Sequence, residues 1–314
     1  MKIIAYTGNE GVAKVYIGEI DGKYVEFVES FGIENDIPEK WVIIVSTLFG
    51  CPVQCKMCDA GGRYYGKIRK EGILSQIDYL VNSRFPDGKI NTRKFKIQFA
   101  RMGDPAFNDD VIDVLIELKE KYGNTNLIPS LSTIAPKGRD GFFNKLLQVK
   151  KQFFRTSFQM QFSIHSTDQV YRDWLIPSKK WDFEKIASYG QEFFDEGGKK
   201  ITLNFAISKR IPLDAECVRE FFDPKYFIIK LTPVNPTFSA LNNNLCESDE
   251  ETIHLVAKQF KKLGYDVVVS IGNYEENKIG SNCGMYLRKI TQRISNQISY
   301  NYPVITLNIE KQES

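Results

Sequence analysis

Cys51-Pro52-Val53-Gln54-Cys55-Lys56-Met57-Cys58 gathers half of the chain's six cysteines into eight residues, directly after Gly50 and the apolar run from Trp41 to Leu48. A short loop with this spacing can turn three sulfurs toward one iron–sulfur cluster. Cysteine thiolates hold such clusters, and four is the usual number on a four-iron cube. Three local ligands would leave one iron open, and an open metal position binds and activates a ligand, as it does in catalytic zinc sites. Tetrahedral zinc would need a fourth Cys or His close by, usually as a second paired unit. None follows: the next His is His165 and the next Cys is Cys217. A disulfide is disfavoured at this spacing in a chain without a secretory signal.

Composition sets the frame. The 314 residues allow one large domain or two small ones, and an apolar content of 42% can build a core. The net charge of +3 does not demand a nucleic-acid partner, though a basic stripe can coexist with acidic faces. No stretch approaches the ~20 apolar residues of a membrane span. The N-terminus, Met1-Lys2-Ile3-Ile4-Ala5-Tyr6, turns polar too soon for a signal peptide. With three cysteines committed to iron, the expectation is a reducing, cytoplasmic location.

Residues 1–40 read as a small β-rich extension, with Val15–Ile17 and Tyr24–Val28 flanking Asp21-Gly22, a hairpin signal. From residue 41 the pattern alternates. Candidate strands are Val42–Thr47, Phe95–Ala100, Leu127–Leu131, Phe158–Ser163, Ile201–Ala206, Phe227–Thr232 and Asp266–Ile271. Amphipathic segments lie between them: Leu74–Val81, Asp110–Lys121, Phe142–Lys150, Phe183–Phe194, Glu216–Phe222 and Glu250–Leu263. Asp109-Asp110 and Ser248-Asp249 suit helix N-termini. Repeated βα units predict a parallel sheet with right-handed crossovers, curled into a partial barrel. Sites in such sheets lie at the C-terminal strand ends, and the cysteine loop follows the first strand.

The polar residues at the other strand ends gather on that same rim. Arg101-Met102-Gly103-Asp104-Pro105 offers a close backbone approach and a carboxylate for an ammonium group. Taken alone it reads as a turn with an N-capping acid. Ser130-Leu131-Ser132-Thr133 could bind ribose or a carboxylate. In Ser163-Ile164-His165 the period of two puts Ser163 and His165 on one face, although a single His is more often structural. Pro233-Val234-Asn235-Pro236 holds an amide in a loop fixed by two prolines.

The cysteine loop, with Gly50 before it and Asp59-Ala60-Gly61-Gly62 after it, resembles the radical S-adenosylmethionine (SAM) superfamily. Gly-Asp-Pro, Ser-Leu-Ser-Thr, Ser-Ile-His and Pro-Val-Asn-Pro, in that order, resemble more narrowly its adenine-methylating enzymes of 23S ribosomal RNA. The resemblance covers residues ~41–290. It implies an α/β fold: a partial (β/α)6 radical-SAM barrel over 41–290, the N-terminal β-rich extension over 1–40 and a tail over 291–314. It implies a [4Fe-4S] cluster on Cys51, Cys55 and Cys58, with S-adenosyl-L-methionine on the open iron. Gly103 and Asp104 (Asp for the usual Glu) would take the methionine amine. Ser132, Ser163, His165 and Asn235 would make the remaining contacts, with Ser130 nearly as good as Ser132. A reducing partner such as flavodoxin or ferredoxin is implied as well.

Cys283 lies in Gly280-Ser281-Asn282-Cys283-Gly284-Met285. An isolated Cys is more often a small buried residue. The resemblance makes it the methyl carrier, whose sulfur accepts a methyl from one SAM and passes its carbon to adenine after a second SAM generates a radical. The family's general base, a Glu in the N-terminal β segment, maps to Glu26, which could equally be a solvent-facing strand residue.

Two features depart from the family. Its second cysteine, which resolves the protein–RNA thioether, falls at Ile44, and Cys217 and Cys246 suit core roles better. The family's N-terminal RNA-gripping domain has no counterpart in the ~40 residues before the first barrel strand. An alternative therefore stays open: direct action of the adenosyl radical on a small molecule or peptide. So does a regulatory cluster- or zinc-binding module without turnover. Arg63, Lys67, Arg69, Lys70, Lys179 and Lys180, interleaved with Tyr64, Tyr65, Trp174 and Trp181, read either as a solvated face or as a phosphate-contacting, base-stacking rim.

Overall fold

The computed structural model describes residues 1–34, 37–60, 63–245, 249–270, 279–281, 286–287 and 303–307, with residues 33, 34, 37 and 38 as backbone only. Cys246, Ser248 and Cys283 lie outside the described residues. The chain opens with three antiparallel strands, β1 (Lys2–Asn9), β2 (Ala13–Ile20) and β3 (Lys23–Glu34). The expected hairpin joins the last two. Asp21 and Gly22 both have positive φ, 51° and 71°, which matches the turn twist to the strand twist. The first strand, Lys2–Asn9, is one the sequence reading did not single out.

β4 (Ile37–Val45) is the pivot. It pairs antiparallel with β3, Val28 opposite Ile44, and parallel with β5 (Lys94–Phe99), Ile43 opposite Ile97. The parallel series continues through β6 (Leu127–Thr133), β7 (Gln159–Ser163), β8 (Ile201–Ile207), β9 (Phe227–Pro233) and β10 (Val267–Val269). β11 (Ile305–Thr306) closes the other end against β1. The order is β10-β9-β8-β7-β6-β5-β4-β3-β2-β1-β11, one continuous sheet. The β-rich extension is thus hydrogen-bonded to the barrel as part of its sheet, not a layer beside it.

The crossovers carry α1 (Lys70–Arg84), α2 (Asp110–Tyr122), α3 (Asp140–Val149), α4 (Gln169–Leu175), α5 (Phe183–Phe193), α6 (Ala215–Phe221), α7 (Phe238–Asn242) and α8 (Glu250–Lys262). Five of the six anticipated helices fall within two residues of the reading at each end. The first, α1, is longer, because Gly72 and Ile73 also pack into the core. Asp182 and Asp249 cap α5 and α8 by accepting the amides of Lys185 and Thr252. Asp109 does not cap α2: its carboxylate pairs with Arg139 at 2.8 Å, and Asn108 Oδ1 accepts the Asp110 amide.

Period-two alternation explains how the sheet divides its faces. Ile97, Leu131, Phe162, Leu203 and Leu231 are buried against the helices in one large cluster with Leu115, Phe143, Ile186 and Phe260. Each such side chain contributes roughly 1.5–3 kcal/mol of burial. The intervening positions are polar: Gln98 opposite Ser130, Ser132 opposite Gln161, Ser163 opposite Asn204, Asn204 opposite Lys230. The sheet therefore has one greasy face covered by helices and one polar face. Among the described residues no helix is long and apolar enough to cross a membrane.

Candidate functional site

The cysteine loop leaves the C-terminal end of β4 on a root that admits little movement. Gln76 from α1 accepts the Ser46 amide at 2.9 Å and donates to the Ser46 carbonyl at 3.0 Å. Thr47 and Leu48 donate their amides to the Met102 carbonyl, at 3.0 and 3.1 Å, so the loops after β4 and β5 are laced together. Gly50 has φ 80°, and a Cβ there would meet the Arg63 carbonyl oxygen at 1.7 Å, so only glycine fits.

The three cysteines come together as free thiols. Cys51 is buried and accepts from the backbone amides of Val53, Gln54 and Asp104. Burial nonetheless pushes its thiol up to about 11. Cys55 is raised well above the ordinary thiol value, first by burial and then by the neighbouring Cys58 and Cys51. Three thiolates so close need a cation among them. Amides aimed at sulfur are also a usual means of tuning an iron–sulfur cluster. Among the described residues no three His, Cys, Asp or Glu groups converge on a single ion. A cube asks for something different, one sulfur on each of three irons, and the donor set fits it.

The far side of the loop is tied down by a residue without an assigned role in the sequence reading, Asp59. Its carboxylate accepts the amides of Phe238 and Ser239 at the start of α7, at 3.1 and 2.8 Å, and is buried. Thr237 Oγ1 donates to the Met57 carbonyl, Asn243 Nδ2 to the Lys56 carbonyl, and Lys56 N to Leu175 O. The loop after β4 is thereby joined to the loops after β9 and β7. The signal for Asp59 was its place directly after the third cysteine.

The anticipated cofactor residues occupy this rim in different ways. Gly103 has φ 87° and lies against Leu48, where a Cβ would come within 2.4 Å. Asp104 is buried and fully engaged: it accepts from Ala106 N, Thr133 Oγ1 and Ile134 N at 2.7–2.9 Å. Burial outweighs those bonds and raises its carboxyl to about 6. Ser132, on the polar face, has a buried hydroxyl with no hydrogen-bond partner among the described residues, as expected of a group that awaits a ligand. Ser163 ends β7 beside it, half-buried.

His165 has φ 64° and is buried, and its Nδ1 accepts the Ala206 amide at 3.0 Å. The proton therefore sits on Nε2. Burial, then Arg172, lowers the imidazole to about 4, so it is a neutral donor. Asn235 follows β9 half-buried, with its backbone oxygen accepting from Thr237 N at 2.7 Å.

Glu26 is not solvent-facing. It is fully buried, its Oε1 accepts from Arg101 Nη2 at 2.8 Å and from the Tyr286 amide at 3.0 Å, and its Oε2 has no partner among the described residues. Arg101 also donates to the carbonyls of Ser281 and Gly280, at 2.8 and 3.1 Å. One ion pair thus holds the described residues on both sides of Cys283. Ile44 packs against the same segment, in a cluster with Val28, Ile279 and Tyr286. The basic rim is more structural than expected. Lys180 is buried on Asp173 and the Ile176 carbonyl, Lys70 pairs with Glu117, and Trp181 is buried against Phe143 and Tyr189. Tyr64, Tyr65 and Trp174 do stay exposed.

No protein-family model matches the chain. It is 25% identical over 206 residues, 64% of its length, to the probable dual-specificity RNA methyltransferase RlmN of Prochlorococcus marinus (strain MIT 9515). It spans 55% of that relative. A second, from Desulfitobacterium hafniense (strain DSM 10664 / DCB-2) and of the same name, is 25% identical over 301 residues, 92% of this chain and 79% of the relative. The crystal structure of a radical SAM methyltransferase from Sphaerobacter thermophilus superimposes with a TM-score of 0.70 at 18% identity, covering 90% of this chain and 80% of that one. The chain shares the fold of that structure, and the relatives it is similar to are of the kind that the ordered motifs resemble.

Proposed function

We propose that this chain is a radical SAM enzyme that moves a methyl-derived carbon onto an unactivated sp2 carbon of RNA, with Cys283 as the carrier. One observation supports it above the others. Arg101, two residues before Gly103 at the rim, holds the Gly280 and Ser281 carbonyls, and Glu26 holds the Tyr286 amide. The segment bearing Cys283 is therefore anchored at both ends beside the residues proposed for SAM.

Cys51, Cys55 and Cys58 would hold the [4Fe-4S] cluster, which together with SAM supplies a 5′-deoxyadenosyl radical after one-electron reduction by a flavodoxin or ferredoxin. Ser132 Oγ offers an unused hydrogen bond on the polar face, and His165 offers its Nε2–H. Cys283, as thiolate, attacks the sulfonium methyl carbon of a first SAM and releases S-adenosylhomocysteine; sulfur is intrinsically nucleophilic. Glu26, whose Oε2 has no partner among the described residues, would accept a proton from the modified base. The relatives' names, which give RNA as what those proteins methylate, support RNA as substrate. A chain of this kind would work in the cytoplasm.

Mass spectrometry of the reconstituted protein after incubation with SAM tests the carrier. A single methyl on Cys283 is expected, and an unmodified Cys283 with an intact cluster overturns the role. Ile44, partly buried where the family has a thiol, favours a second reading: direct hydrogen abstraction from a small molecule or peptide. Deuterium passing from labelled substrate into 5′-deoxyadenosine, without a methylated product, would select it.

A further inference from the structure

At the end of the polar face opposite the cysteine loop, the strands begin with lysines. Lys40 on β4 stands opposite Lys94 on β5, Lys96 lies two residues further along β5, Lys199 and Lys200 lead into β8, and Lys230 lies on β9. These six line one cavity of about 580 Å³, within the ~300–1,000 Å³ range of small-molecule sites. This is not a run of charge along one exposed helix. Side chains from four parts of the chain, far apart in sequence, turn into one hollow.

Carboxylates neutralise only some of them. Lys200 pairs with Asp266 at 2.7 Å, and Lys94 makes a long contact of 3.9 Å with Glu39. Lys40, Lys96 and Lys199 make no ion pair among the described residues. Lys96 is half-buried, and burial first, then Lys40, Lys230 and Lys199, brings its amine down to about 7. A protein gains nothing in stability by crowding like charges into a concavity. The N-terminal end of a barrel is ordinarily where residues serve stability. Apolar side chains would serve that purpose better here.

We propose that this cavity is a binding site for a compact polyphosphate, two or three linked phosphate groups, separate from the cysteine-loop site. Three lysines without carboxylate partners match the charge of such a group, and ammonium groups bind phosphate as point charges from several directions. A single hollow of this size suits a small ligand better than an extended nucleic-acid backbone, which tracks along a longer groove. Binding would restore the proton on Lys96. The charged groups facing that amine are Lys40, Lys94, Lys199 and Lys230, with the Lys200–Asp266 pair at the edge.

Isothermal titration of the purified 314-residue chain with inorganic pyrophosphate at low salt tests the site. Saturable one-to-one binding is expected. Lys96→Met and Lys199→Gln should each weaken it more than tenfold. Near a pH of about 8, buffers of different ionisation heat should reveal proton uptake in the parent chain and none in Lys96→Met. Absence of binding at millimolar pyrophosphate, or variants that bind as tightly as the parent, overturns the proposal. So does Lys96-dependent binding of a single-stranded RNA oligonucleotide without binding of pyrophosphate, which would transfer the lysines to an RNA backbone.

Discussion

Arg101 and Glu26 form an ion pair of 2.8 Å with side chains 3% and 0% exposed, and the same guanidinium and carboxylate hold the backbone at Gly280, Ser281 and Tyr286. Breaking such a pair by removing one partner leaves a buried charge uncompensated, at a cost of about 3–5 kcal/mol. Arg101→Met should lower unfolding stability by that order in denaturant titrations. The Arg101→Met, Glu26→Leu double variant should recover part of the loss. If the single variant is as stable as the parent, the pair does not carry the anchoring described here.

Asp59 presents a separate handle. Asp59→Ala removes a buried carboxylate that accepts two amides of α7, and orphaned buried donors cost about 1–3 kcal/mol. The loss should be local. Aerobic bleaching of a reconstituted cluster, followed by visible absorbance, should be faster in this variant, while far-UV circular dichroism stays unchanged.

Substituting the cysteines separates fold from cofactor. Cys55 and Cys58 are only partly buried, and the loop is held by Gln76, Met102 and α7 through other atoms. Cys55→Ser and Cys58→Ser should therefore keep the parent's helical signal and lose cluster iron on reconstitution, as read by iron analysis and the visible spectrum.

Gly103→Ala joins two penalties, a φ of 87° and a Cβ within 2.4 Å of Leu48. Strain of this kind costs of order 1–3 kcal/mol. Lower thermal stability is expected, with weaker SAM binding in equilibrium dialysis.

The amine of Lys96 also makes a prediction for stability against pH. Its folded value, about 7, lies below the unfolded value of about 10.4. Between those limits the unfolded chain binds more protons, so this group makes stability rise with pH across the window. Relative to Lys96→Met, the parent should gain stability from pH ~7 toward ~10. A constant difference between the two across that range would contradict the lowered amine.

Much of this was readable in the order of residues. The parallel strands and the longer helices were legible because each carries a clean period and a turn signal. Of the short helices, the seven-residue α6 was read, while α4, equally long, and α7, of five residues, were not, because so short a segment shows its period only weakly. Burial was the harder quantity. Nothing local in Val25-Glu26-Phe27-Val28 says that the glutamate has an arginine 75 residues away. The same holds for Trp181 and Lys180, which looked like rim residues and belong to the interior. Asp104 was found in place but with its oxygens already taken, a fact that depends on Thr133 from the neighbouring strand. The hydroxyl of Ser132 is the opposite case, a residue singled out by its strand position that has no hydrogen-bond partner among the described residues.

The pivot role of β4 has a mechanical consequence. This strand is bonded on both flanks, antiparallel to β3 and parallel to β5, and its last residues run into the cysteine loop. The opening hairpin therefore cannot hinge independently: any torque on it reaches the cysteine loop through a single ribbon of backbone. Deleting the first 34 residues would strip one entire flank from that ribbon and leave an unpaired, apolar edge ready for intermolecular stacking. An insoluble product from such a truncation would reflect the loss of a shared splint rather than of an accessory module.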